Sequence, residues 1–191
     1  MVGSNATSDV LVTQAGLLIS EVCYAGASHE FVELYNPTAT PIDASAIGLK
    51  LYTRKAAGNN NQKTLTFIRN VVPSHGFFMI GSQQSTAADP WFGVIDATYN
   101  ANVNNLDRNG GVYISLSLTP QLTVIDKVGW GTQPAGGFEM MPLVDIPVGM
   151  SVERKPAGSQ GHASDTDANA DDFNAASGTL TLRGATSPPE G

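Results

Sequence analysis

Apolar and polar residues alternate along much of this chain, in short runs broken by Gly, Pro, Asn and Ser. A period of two puts successive side chains on opposite faces of an extended strand. Residues 17–24, LLISEVCY, read as a strand with Leu18, Val22 and Tyr24 apolar and Ser20 between them. Residues 25–29 form a short link, and 30–35, EFVELY, a second strand that suits a hairpin with the first. Within it Val32 and Leu34 share one face, and Phe31, Glu33 and Tyr35 share the other. Pro37 and Pro41 stop this strand, because proline removes a ladder donor. A third strand spans 46–52 through Ile47, Leu49 and Leu51. KAAGNNNQK, residues 55–63, reads as a loop tip tolerant of positive φ, and 64–68 as a fourth strand.

The pattern continues after a turn at 73–76 with the fully apolar run 77–80. Residues 82–105 are weakly patterned and predict a long excursion, with a helical turn after Ser82 or near Asp89–Pro90. Asn109, Gly110 and Gly111 predict a hairpin turn leading into Val112, Ile114, Leu116 and Leu118. Further strands are expected at 122–131, set apart by Pro120 and Gln121, and at 150–155. Residues 179–185 read as a last strand or an ordered tail. No stretch shows a sustained 3.6 period. Roughly eight or nine short strands with turns between them predict an all-β sandwich with long loops.

Composition sharpens this. The 191 residues suit one domain, with a core supplied by 41% apolar residues and too few charges (14%) for a disordered chain. Residues 1–14 read as a disordered leader standing where the natural start has been replaced, 15–183 as the domain, and 184–191 as a flexible tail. A net charge of -7 argues against binding to nucleic acid or an anionic membrane surface. No run approaches the ~20 apolar residues a spanning helix needs. Cys23 is alone, inside an apolar run, and reads as a small buried hydrophobe.

The candidate chemistry is thin. Glu30 and Glu33 stand three apart and point to opposite faces of a strand, so they share no catalytic cleft. Glu33 reads as a structural acceptor whose partner would be Lys127 or Arg154, and Asn36 as the holder of its turn. His29, His75 and His162 fall in no metal-ligand spacing, and no nucleophile elbow, Walker loop or dinucleotide fingerprint occurs. No catalytic residue is assigned, and the chain is not read as an enzyme. SDTDANADDF places Asp165, Asp167, Asn169 and Asp171 at alternate positions, a spacing that suits calcium. Ala170 and Ala176 break the EF-hand template there, and the competing reading is an acidic turn whose side chains cap backbone N–H groups while Phe173 plugs the core. Trp91, Phe92 and Tyr99 are the candidates for an aromatic ligand platform, with Trp130 read as packing. No cofactor other than calcium is implied.

The pieces LLISEVCYAG, HEFVELYNPTATPIDASAIGLKLY, VVPSHGFFMIG, NGGVYISL, VIDKVGWG, SVERKP and SDTDANADDF together resemble a lamin tail domain, over residues 17–173. Ile47-Gly48 stands where that family often has Gly-Trp, and residues 89–105 resemble an insertion. The resemblance implies an immunoglobulin-like β-sandwich and a bacterial module, secreted or at the cell surface. Such a module would tether or recognise a protein or surface-polymer partner, with a homodimer through an exposed edge strand as a further expectation. The alternative reading is a carbohydrate-binding module, stabilised by calcium.

Overall fold

The computed structural model describes residues 16–24, 30–55, 58, 60–100, 106–116, 123–132 and 137–190. The expected leader, the link carrying His29, and Pro120–Gln121 lie outside the described residues. The described chain is all-β. Its strands are β1 (Leu18–Tyr24), β2 (Phe31–Tyr35), β3 (Ile42–Asp43), β4 (Leu49–Lys55), β5 (Asn60–Lys63), β6 (Leu65–Phe67), β7 (Val71–Val72), β8 (Phe77–Ser82), β9 (Ile95–Tyr99), β10 (Gly110–Leu116), β11 (Thr123–Gly129) and β12 (Met150–Glu153). They form a larger sheet in the order β12-β1-β2-β8-β9-β6, a smaller one in the order β11-β10-β4-β5, and a β3–β7 ribbon. Among the described residues no helix is long and apolar enough to cross a membrane.

One hydrophobic core draws on both main sheets. Val22, Val32, Leu34, Phe78 and Ile80 come from the larger, and Leu49, Leu51, Val112, Ile114 and Val128 from the smaller. β1 and β2 pair antiparallel, as the hairpin expected from the sequence requires, with Val22 opposite Val32. Val32 and Leu34 enter this core, as their parity requires. Each fully buried aliphatic of this size stabilises the fold by about 1.5–3 kcal/mol.

Four features depart from the sequence reading. The third strand starts at Leu49, because residues 44–48 form a turn in which Asp43 Oδ1 accepts the N–H groups of Ser45 and Ala46 and Gly48 takes a φ of 64°. The polar run 60–63, expected in a loop tip, pairs with β4 as an edge strand, where solvent accepts its polar side chains. The excursion after β8 contains β9, which returns parallel to β8; a parallel partner needs such a crossover. Gly110 and Gly111 lie inside β10 and make no turn. Gly111 faces Gly129 across the ladder, and Gly137 O lies where a Cβ on either would sit. The missing side chains let the loop at Gly137 lie flat on the β10–β11 pair.

The larger sheet has a second buried layer. Cys23, Phe31, Met79, Trp91 and Ile95 cluster on its outer face, with Leu180 and Leu182 packed over them. Residues 179–185 are therefore an extended strap and no strand. Residues 184–190, expected as a tail, are fastened to the body: Ala185 N–H donates to Asp96 Oδ2 at 2.8 Å and Glu190 N–H to His75 O at 2.7 Å.

Candidate functional site

The larger sheet turns a row of acids toward the strap. Glu153, Glu21 and Glu33 are direct cross-strand neighbours on β12, β1 and β2. Glu21 and Glu33 are fully buried. Arg183, from the strap, answers them. Its Nη2 lies 2.9 Å from Glu33 Oε1 and 2.7 Å from Glu153 Oε1, its Nη1 lies 3.2 Å from Glu190 Oε1, and its backbone N–H donates to Glu33 Oε2 at 3.0 Å. The Ser20 hydroxyl, brought round by a bulge in β1, donates to Glu33 Oε1 at 2.7 Å. The partner of Glu33 is thus Arg183, and neither Lys127 nor Arg154 as the sequence suggested. Arg154 lies on the opposite face of its strand from Glu153, and Lys127 belongs to the other sheet.

Burial raises the Glu33 carboxyl to about 7 even though Arg183 and Ser20 pull it down. Burial raises Glu21 further, to about 8, with Glu33 and Glu153 adding repulsion. Neither Glu21 oxygen has a hydrogen-bond partner; the Ser151 hydroxyl pulls the other way without reaching hydrogen-bond geometry. Glu21 is therefore a neutral acid at pH 7. Burial opposes charge on His162, but its hydrogen bonds to Glu153 and Glu190 outweigh that and hold its pKa above the usual value. Gly161, at φ 64°, lets the chain pass where a Cβ would strike the Tyr35 hydroxyl. Glu30 faces the other way, accepting from the Tyr99 hydroxyl and from Leu106 N–H. Burial pushes the Cys23 thiol up to about 12, which leaves it inert.

A second group of acids gathers where β1 bulges. Asp126, from β11, accepts the Ile19 N–H and pairs with Arg154 Nη2, both at 2.6 Å, on its Oδ2. Arg154 also donates from Nε to Ile19 O at 2.8 Å. This ion pair holds the bulge and bridges the two sheets. Glu139 and Asp165 complete a set of three carboxylates whose oxygens lie within 4.8 Å of one another. Burial raises Glu139 to about 7, with Asp126 and Asp165 adding repulsion.

The alternate Asp/Asn positions disperse. Asn169 is fully buried; its Oδ1 accepts from Gly129 N–H at 3.0 Å and its Nδ2 donates to Lys127 O at 2.9 Å, so its amide caps the free edge of β11. Asp167 and Asp171 are exposed, and Asp165 turns to Arg154. The capping that the sequence reading anticipated falls to Asp172, which accepts from Thr166 and Ala168 N–H groups, and Phe173 is in the core. The aromatics separate too. Trp91 is buried against Phe31 with its indole N–H on Ser85 Oγ, and Tyr99 is fully buried. Phe92 is 47% exposed and walls an open cleft of about 450 Å³ with Arg69, Gln83, Ser85 and Thr98. No shared aromatic platform forms.

The smaller sheet's outer face is of another kind. Lys127, Tyr113, Tyr52 and Gln62 form one cross-strand row. The two tyrosines stack at 4.6 Å with an interplanar angle of 5°, and Tyr52 donates to Gln62 Oε1. Lys50 and Arg54 share the parity of Tyr52. The only carboxylate in β4, β5, β10 and β11 is Asp126, which sits opposite core residue Ile114 and faces inward. No family model, curated protein or solved structure matches this chain.

Sequence reasoning missed Asp126, Glu139, Glu153 and Arg183. Asp126 had a signal: it has the parity of Val128 and Trp130, both in the core, so alternation put a charge at the core face. Glu139 and Arg183 lie in segments without periodicity and had none.

Proposed function

We propose that this chain is a non-catalytic binding module, a lamin-tail-like domain with an immunoglobulin-like sandwich, that tethers a secreted or cell-surface protein to an acidic macromolecule. The outer face of the smaller sheet is its contact surface. One observation carries the reading: three cations and a stacked tyrosine pair stand on a sheet whose own strands turn no carboxylate to that face, in a chain of net charge -7. Such a concentration of one sign steers an oppositely charged partner, and half-buried Tyr52, backed by buried Tyr113, supplies rigid contact area. The strongly perturbed acids support it from the other side. Glu21 and Glu33 lie beneath the strap, where no substrate reaches them, and a hydrolase would need them accessible.

The test is a fluorescent fusion of the chain offered to a polyglutamate matrix and to isolated anionic cell-wall polymer. Retention on either, reduced at least tenfold by the Lys50→Glu and Arg54→Glu pair, supports the reading. Turnover of phosphodiester or glycoside substrates that Glu33→Gln abolishes would overturn it. A second reading, carbohydrate binding, is favoured by Phe92 alone, because it stands beside Gln83, Ser85 and Thr98 in the open cleft. A glycan-array signal lost in Phe92→Ala identifies it. Trp91→Ala cannot serve as that test, since Trp91 packs under the cleft and its loss disturbs Phe31.

A further inference from the structure

We infer that Asp126, Glu139 and Asp165 form a binding site for a divalent cation of calcium's size, set at the junction of the two sheets. It differs from the linear Asp/Asn spacing read in the sequence and shares only Asp165 with it.

Three observations carry the inference together. The first is distance. Around a calcium ion, oxygens held at about 2.4 Å stand at most about 4.8 Å apart. The three carboxylates each offer an oxygen inside that limit. Magnesium gives up its waters reluctantly and is usually held by one or two carboxylates, so three converging carboxylates suit calcium better.

The second is an unused ligand atom. The Asp126 side chain is 1% exposed, and its Oδ1 makes no hydrogen bond. Its Oδ2 is fully employed by Ile19 N–H and Arg154. A buried carboxylate oxygen with no partner costs about 1–3 kcal/mol or more. A cation removes that cost.

The third is charge balance. The three carboxylates, with Asp172 at 4.0 Å as a fourth, surround Arg154, and Lys127 is the other cation close to Glu139. Arg154 is anchored by its bonds to Ile19 O and Ser164 O, and it reaches Asp165 only at 3.4 Å. These bonds hold it against Asp126 and Asp165, with no hydrogen bond to Glu139. The Glu139 backbone N–H and Oε2 are both tied to Asn169, at 3.2 Å and 3.1 Å, so the loop that carries this ligand is itself held. Asn169 thereby acts as a positioning residue for the site and caps β11 with the same amide. Glu139 is half-buried and Asp165 exposed, which leaves a path for the ion and for the waters that would complete its shell.

The site joins β11, the loop before β12 and the loop after it. A bound cation therefore ties together segments far apart in sequence, and its effect is on stability. Affinity of the order found in extracellular calcium modules, roughly 10⁻⁴–10⁻³ M, is expected.

The experiment is calorimetric titration of chelator-treated chain with calcium chloride, paired with melting scans in calcium and in EDTA. Saturable binding of one ion per chain with a rise in melting temperature is expected, and magnesium should compete weakly. Glu139→Gln and Asp165→Asn should each weaken binding about tenfold or more, while Asp167→Asn and Asp171→Asn leave it unchanged. Both informative variants leave the Asp126–Arg154 pair in place: Asp165→Asn weakens only a 3.4 Å contact with Arg154, and Glu139→Gln keeps an acceptor for Asn169. Absence of heat and of any melting shift at 10 mM calcium, a value chosen at roughly tenfold the expected constant, overturns the inference. Equal losses in the Asp167 and Asp171 variants, or stabilisation by Glu139→Gln with no calcium response in the parent chain, overturn it as well. The proposed tethering role is tested by the lysine and arginine variants of the smaller sheet, so either idea can fail alone.

Discussion

The larger sheet turns Glu153, Glu21 and Glu33 outward in one row, and the smaller sheet turns Lys127, Tyr113, Tyr52 and Gln62 outward in another. Both rows come from the same strand alternation. They differ in what happens above them. Residues 177–190 close over the first, so its charges leave water and must be neutralised by a proton or by Arg183. The second row keeps solvent on its lysine and glutamine ends, so its charges cost little and stabilise little. Titration and stability therefore belong to the strap-covered face, and the proposed contact surface to the other.

Arg183→Ala should expose that difference most strongly. It leaves Glu33 buried without its cation, and a loss of about 3–5 kcal/mol in denaturant unfolding is expected. A loss below about 1 kcal/mol, the level of an ordinary surface ion pair, would erase the contrast.

The pH dependence comes next. The carboxyls of Glu21 and Glu33 titrate near 8 and 7 in the fold, against about 4.3 when unfolded. A raised pKa gives stability that is complete below the unfolded value and is lost as pH climbs through the folded one. His162, also raised, acts in the same direction from about pH 6.5 upward. Glu153 is lowered by its hydrogen bond to His162, and its contribution fades on the acid side. Melting should therefore peak near pH 5 and fall steadily to pH 8. Glu21→Gln, which removes the unpartnered acid at constant shape, should stabilise the chain at pH 8 by on the order of 2 kcal/mol and flatten that slope. An unchanged slope would show that Glu21 ionises freely and that the strap does not seal the row.

Substitutions on the smaller sheet should be milder. Tyr52→Ala breaks the stack with Tyr113 and should cost about 1 kcal/mol. Lys127→Glu should stay within about 0.5 kcal/mol of the parent while weakening retention on the acidic matrix. A larger stability effect there would make the face structural and would count against the proposed role.

Much of the fold was legible because alternation is local. The parity of 31–35 put Val32 and Leu34 on one face and Phe31, Glu33 and Tyr35 on the other; the structure turns the first pair into the core and Phe31 into the outer cluster. Asn36 was legible as a turn holder; its amide donates to Thr40 O and Pro73 O, and its Oδ1 accepts from Thr38 N–H. β5 was not legible. Its polar residues pair only because β4 offers a free edge, and no local signal reports an edge. Gly110 and Gly111 look like a turn pair in isolation. Their strand role follows from the close pass of Gly137, which lies 26 positions beyond Gly111.

The same division holds for the sites. The chain's own order of residues determined that it folds as strands around an apolar interior, and that it carries acids at parities where a strand would bury them. Folding alone decided which charges meet: that Arg183 crosses 150 positions to reach Glu33, and that Asp126, Glu139 and Asp165 come within reach of one ion. Periodicity is written by neighbours along the backbone, whereas an ion pair or a ligand set is written by distance in space. Segments without periodicity, such as the strap, take their place only from the surface they cover.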